Sequence, residues 1–262
     1  MKWLGRWSRW RQDEEDLKLD VSESAGVRYL HLGSPTVQSA MRIGSPDQLM
    51  LAYTRTAMSF LLFKPEPSQV VTIGLGGGSM QKWLLRRLPS TQIHAIELHD
   101  EVVRAAQQYF QVPVNDDRLQ IIVGDGAPWI TTRADFADVL MVDGYDGRSQ
   151  SESVSSDAFY RDALAHLKDD GILVVNLWGS DRRYDEYVQR IETAFDSRVL
   201  CVPAAEKGNI IVLAFRRPPH PATWDALSGR AKELEARHQL EFTQFVPMFK
   251  RLNLHNEKRL LI

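Results

Sequence analysis

VVTIGLGGGSMQKWLLRRL, residues 70–88, passes from β-branched residues through a glycine-rich loop into an apolar, basic segment at helical spacing. A strand that ends in Gly74, Gly76 and Gly78 and restarts as a helix lets a ligand approach the backbone where a Cβ would block it. A tight turn with no ligand would need the same glycines. The spacing is G-x-G-x-G, with Ser79 and Met80 in the third-glycine place of the dinucleotide pattern G-x-G-x-x-G. That difference favours a nucleoside without a pyrophosphate.

Around this stretch, apolar strands alternate with amphipathic helices. Strands are expected at QIHAIEL, LQIIVGD, ADVLMVDGY and GILVVNLW. The helices DEVVRAAQQYF, GAPWITT and SDAFYRDALAHL fall between them. Near-continuous Val, Ile and Leu strands between helices predict a parallel sheet covered on both faces, a doubly wound α/β fold. YDEYVQRIETAF, RVLCVPA and NIIVLAFRR add a helix and a closing strand pair. Upstream, GVRYLHLGSPTVQSAMRI alternates and breaks at Gly33-Ser34-Pro35, the pattern of a hairpin or meander. A helix is expected to begin at Ser45-Pro46-Asp47 and run through YTRTAMSFLLF. The expected organisation is a basic Trp-rich arm over 1–20, a β-rich segment plus helix over 21–66, a Rossmann-like nucleoside-binding domain over 67–217, and a helical extension over 218–262.

Composition excludes little beyond the extremes. The 262 residues are 44% hydrophobic and 25% charged with a formal net charge of −2, which gives no global field for nucleic acid. No apolar run is long enough to span a bilayer. The single cysteine, Cys201, cannot form an internal disulfide, suits a reducing cytoplasm and reads as a buried strand residue. No metal-ligand set is apparent. The first twelve residues interleave Lys2, Arg6, Arg9 and Arg11 with Trp3, Trp7 and Trp10, so a frayed arm and a contact with an anionic membrane surface are the two readings.

Carboxylates follow the glycine loop at successive strand ends. Glu97 closes the second strand about 20 residues on, where an acidic residue reaches ribose hydroxyls or stands as a solvated strand-end charge. Asp125, between Gly124 and Gly126, could accept from an adenine amino group or cap the next helix. Asp143 and Asp146, in VDGYDG, lie on a loop at the carboxyl edge of the fourth strand, facing the crevice for a second substrate. They are also ordinary turn residues.

In this order the motifs resemble the spermidine synthase-like proteins, the polyamine aminopropyltransferase family, over roughly residues 26–216. The resemblance implies a small N-terminal β domain before a methyltransferase-type Rossmann fold. It implies transfer of an aminopropyl group from decarboxylated S-adenosylmethionine to a diamine such as putrescine, with no tightly bound cofactor. Gly74, Gly76 and Gly78 would line the donor, Glu97 would hold its ribose, and Asp125 and Gly126 would meet its adenine. Gln38 would contact the donor. Asp143 would be the catalytic base, with Asp146 and Tyr53 on the acceptor side. A cytoplasmic homodimer is expected from the same resemblance.

Three positions depart from the family pattern. Gly77 stands where an acid would anchor the donor's amine, Gly144-Tyr145-Asp146-Gly147 replaces Ser-Asp-Pro, and Tyr53-Thr54-Arg55 replaces Tyr-His-Glu. Two other functions therefore compete: a methyltransferase-like enzyme using the intact donor, whose carboxylate Arg55 or another cation would take, and a non-catalytic adenosyl-ligand sensor.

Overall fold

The computed structural model describes residues 18–34, 36–144, 151–205 and 208–262. Strands β1 (Leu19–Ser24), β2 (Val27–Leu32) and β3 (Val37–Arg42) form an antiparallel meander. The sequence reading foresaw β2 and β3 but not β1, which has one hydrophobic partner face and otherwise points polar side chains outward. Leu30 and Met41 pack with Phe110 to dock this sheet on the larger domain.

The expected helix start at Ser45-Pro46-Asp47 is corrected. Those residues form a turn, with Ser45 N–H donating to Arg42 O and Gln48 N–H to Ser45 O, and helix α1 spans only Ala52–Ala57 before a 3-10 turn over Met58–Leu62. Two carbonyls that an earlier helix would have used, those of Leu49 and Met50, instead accept from the Arg55 guanidinium.

From Gln69 the alternation is as the sequence dictates: β4 (Gln69–Ile73), α2 (Ser79–Arg87), β5 (Gln92–Glu97), α3 (Asp100–Tyr109), β6 (Leu119–Val123), α4 (Gly126–Ile130), β7 (Ala137–Val142), α5 (Asp157–His166), β8 (Leu167–Trp178), α6 (Tyr184–Ala194), β9 (Val199–Pro203) and β10 (Asn209–Phe215). The sheet order is β6-β5-β4-β7-β8-β10-β9. Neighbours from β6 to β8 pair in parallel, while β10 runs antiparallel to both β8 and β9, so the sheet is mixed. Strand order reverses between β4 and β7, which opens a crevice beyond their carboxyl ends.

Both faces of the central strands are buried, which explains their unbroken apolar character. Val70, Val139, Met141 and Val174 face a core completed by α7 (Trp224–His238) and α8 (Phe242–Leu252). Val71, Leu140 and Val175 face α5 and α6. At the opposite end of the sheet from the crevice, Asp138 is buried and accepts from Ser68, Gln69 and Lys168. Burial alone would raise its pKa, but these bonds and Lys64 hold it far below the usual carboxylate range. Cys201 lies in β9 and is half-buried rather than fully enclosed. No helix among the described residues is long and apolar enough to cross a membrane.

Candidate active site

The loop after β4 is closed by its own hydrogen bonds. Gly74 N–H donates to Ile96 O, Leu75 N–H to Glu97 Oε2 at 2.9 Å, Gly77 N–H to Ser39 Oγ at 2.8 Å, and Gly78 N–H to Leu75 O. These bonds fix the path of the loop from β4 into α2. Ser39, which sequence reasoning missed, comes from β3 and ties the small sheet to the loop.

Beyond the strand ends lies a cavity of about 210 Å³. Gly74, Gly76, Glu97, Asp125, Gly126, Gln38, Tyr53 and Asp143 all line it. Gly78 does not: it is the left-handed residue that starts α2, and a Cβ there would overlap Val112. Gly126 lines the cavity, but the space its missing side chain leaves is filled by Ile73, 2.7 Å from a Cβ placed there. Asp146 lies outside the described residues, as do the Trp-rich arm up to residue 17 and any membrane contact through residues 1–12.

The carboxylates are held in different ways. Glu97 is buried, with Oε1 accepting from His99 N–H while Oε2 takes Leu75 N–H, so its orientation is fixed by backbone on both sides. Asp125 does cap a helix, accepting from Ala127 N–H at 2.9 Å, and the cap sets its carboxylate at the cavity wall. Asp143 accepts from Tyr53 Oη on Oδ2 at 3.0 Å and from Asn176 Nδ2 on Oδ1 at 2.8 Å. Behind it the apolar side chains of Met80, Met141, Val174 and Ile211 exclude bulk water. Burial raises the Asp143 pKa, the Asn176 and Tyr53 bonds oppose that rise, and the charge of Glu97 adds to it. Burial, followed by the charge and hydrogen bond of Asp143, pushes the Tyr53 phenol well above its ordinary value and keeps it a donor.

The lining has a clear electrostatic sign. Among the described residues it carries three carboxylates, Glu97, Asp125 and Asp143, and no Lys or Arg. Arg55 donates to Glu241 Oε1 at 2.7 Å in the segment joining α7 to α8. Arg55 is not among the described residues that line the cavity.

Position 77 is closed as well as unsubstituted. A Cβ at Gly77 would sit 2.9 Å from both Phe110 Cδ1 and Ser39 Cβ, and Phe110 is fully buried. Gly77→Asp is therefore expected to overpack this contact by about 1–3 kcal/mol, lowering the melting temperature by about 2–12 °C without tightening donor binding. A variant that melts like the wild type and binds the donor more tightly in calorimetry would show that the loop has room for an acid.

Residues 50–217 match the spermine/spermidine synthase domain. The chain is 37% identical over 245 residues to the polyamine aminopropyltransferase of Chromobacterium violaceum, covering 94% of each chain. Among solved structures, a probable spermidine synthase from Corynebacterium glutamicum superposes with a TM-score of 0.70 at 17% identity, covering 83% of each chain. A spermidine synthase in complex with the transition state analogue AdoDATO gives 0.60 at 19% identity, covering 76% of this chain and 73% of that one. At such identities the structural likeness speaks for the fold.

Proposed function

The chain belongs to the spermine/spermidine synthase family, and from that membership we propose that it is a polyamine aminopropyltransferase acting on decarboxylated S-adenosylmethionine and a diamine such as putrescine. The acidic cavity without a described Lys or Arg carries this reading. Decarboxylated S-adenosylmethionine is a sulfonium and an ammonium with no carboxylate, and a diamine is a dication. Both match a cavity lined by Glu97, Asp125 and Asp143. The intact donor would bring a carboxylate that no described lining cation meets, which sets the methyltransferase alternative behind.

The chemistry asks little of the protein beyond charge and position. A primary amine has a pKa of about 10, by analogy with lysine, and must lose a proton before it can attack carbon. Asp143, held by Tyr53 and Asn176, accepts that proton as the amine nitrogen bonds to the aminopropyl carbon next to sulfur. The carbon–sulfur bond breaks with its electrons going to sulfur, and a neutral thioether leaves without acid catalysis. Glu97 binds the ribose, Asp125 meets the adenine edge, and Gln38 and Asp146 contact the donor and the acceptor.

The same proposal assigns work to each part of the chain. Residues 21–66 brace the glycine loop through Ser39 and supply Tyr53, residues 67–217 hold the nucleoside, and residues 218–262 engage Arg55 through Glu241. A cytoplasmic homodimer belongs to this reading through the family resemblance, and the lone half-buried Cys201 suits a reducing compartment.

Calorimetric titration with the decarboxylated and the intact donor, each with and without putrescine, tests the proposal together with product analysis. Preference for the decarboxylated donor and formation of the aminopropylated diamine are expected. Preference for the intact donor with indifference to putrescine would overturn it.

A further inference from the structure

Two asparagines interrupt strand segments that are otherwise apolar, Asn176 in GILVVNLW of β8 and Asn209 at the start of NIIVLAF of β10. Asn176 is buried, and an amide in an apolar strand costs stability unless its donors and acceptor are paired. The sheet register places the two diagonally. Ile211 lies opposite Asn176 and Asn209 opposite Trp178, so both amides project from one face, the face that α1 and Tyr53 cover. Asn209 Nδ2 donates to Asn176 Oδ1 at 3.0 Å, and Asn176 Nδ2 donates to Asp143 Oδ1 at 2.8 Å.

We propose that Asn209 and Asn176 are positioning residues for Asp143, an amide chain that runs across two strands and fixes the plane of the reacting carboxylate. The inference rests on the transferase reading of this site. Donor and acceptor chemistry sets the direction of the chain. An ionised carboxylate only accepts, so Asn176 must turn its NH₂ toward Asp143 and its oxygen away, and that oxygen then needs the NH₂ of Asn209. Without Asn209 the Asn176 oxygen loses its donor, and Asp143 alone is left to hold the amide in the donating orientation. The chain thus favours the ionised state in which Asp143 can accept a proton. The other titratable groups facing Asp143 are Tyr53, which donates to Oδ2, and Glu97, whose charge opposes ionisation.

The test uses the full chain with Asn209→Ala, Asn176→Ala and the double variant, and Asn176→Leu as a form that leaves no hole. Transfer from decarboxylated S-adenosylmethionine to putrescine is followed against pH, beside calorimetric binding of putrescine over the same range. Loss of the Asn176 bond should move the acidic limb of kcat/KM up by about one pH unit, because a hydrogen bond to a charged group is worth about that much. Asn176→Leu should show the same shift. Asn209→Ala should move the limb in the same direction by less, and the double variant should move it no further than Asn176→Ala. A wild-type profile for Asn209→Ala, or shifts that add in the double variant, would overturn the relay. A merely structural loss would lower the melting temperature without moving the limb. The putrescine titration reads the same ionisation without turnover. A wild-type protein that binds the diamine but forms no product would therefore refute the transferase and still test the relay.

Discussion

Asp143→Asn should lower aminopropyl transfer by about 10²–10⁴-fold, the usual contribution of a positioned general base, while nucleoside binding persists. The substitution is nearly isosteric. The amide oxygen of the new side chain can still accept from Asn176 Nδ2, and its NH₂ can turn toward Tyr53 Oη, so the two neighbours stay paired. What disappears is the group that can take the amine's proton. The sign of the stability effect follows from the raised pKa of Asp143. A carboxyl whose folded pKa lies above its unfolded value favours folding most when protonated, and that contribution is lost as pH rises from the ordinary carboxylate range through the raised value. At neutral pH the wild type bears the cost of a desolvated charge that the asparagine variant lacks, so the variant should melt no lower. In the wild type, transfer should fall as pH drops through the raised pKa. Glu97→Ala is the opposite case: it removes the acceptor of Leu75 N–H and His99 N–H at the cavity wall and should weaken nucleoside binding first. Wild-type turnover by Asp143→Asn would remove Asp143 from its role as base.

The Rossmann-like order was legible because its strands are buried on both faces. Val70, Val71, Val139 and Leu140 contribute to two separate cores, and only a central parallel strand requires such an unbroken apolar run. The carboxylates were legible because strand ends at a reversal of sheet order face one crevice. Edge elements gave weaker signals. Strand β1 buries little: only Leu19 and Val21 pack, half-buried, so the alternation in LDVSES is short. The start of α1 was misread because Ser45-Pro46-Asp47 is good chemistry for a turn as well as for a cap, and Arg55 supplies the carbonyl bonds that would have extended the helix. The ion pair of Arg55 was not legible, because its partner Glu241 lies 186 residues away. Gly77 and Gly78 show a related limit. Sequence marks where side chains are absent, but only the packing of Phe110, Ser39 and Val112 shows that protein, not ligand, fills both places. Asn176 did leave a mark, a single amide in an apolar strand.

Gly74→Ala should be the most damaging single methyl addition in the site. Gly74 adopts φ +97, a conformation that L side chains rarely adopt, and its absent Cβ would overlap the carbonyl oxygen of Asp143. That oxygen belongs to the backbone and cannot rotate away. Three strands meet there: Gly74 N–H donates to Ile96 O, Asp143 N–H donates to Ile73 O at 2.9 Å, and Gly74 O accepts from Gln81 Nε2. Relief requires β4 and β7 to separate at the point that carries Asp143. Overpacking of about 1–3 kcal/mol and backbone strain of similar size together predict a melting temperature lower by roughly 5–20 °C. Transfer should fall further than stability alone requires, since a displacement of about 1 Å in a reacting group can cost about 10²-fold. Gly26→Ala separates the two causes. Gly26 has φ +74 but nothing within 4 Å of its would-be Cβ, so it incurs the strain without the collision. If both variants melt alike and transfer alike, the close approach of Gly74 to Asp143 has no functional weight. If Gly74→Ala alone loses transfer while enough of it remains folded to bind the nucleoside, the missing side chain at position 74 serves to seat the carboxylate of Asp143.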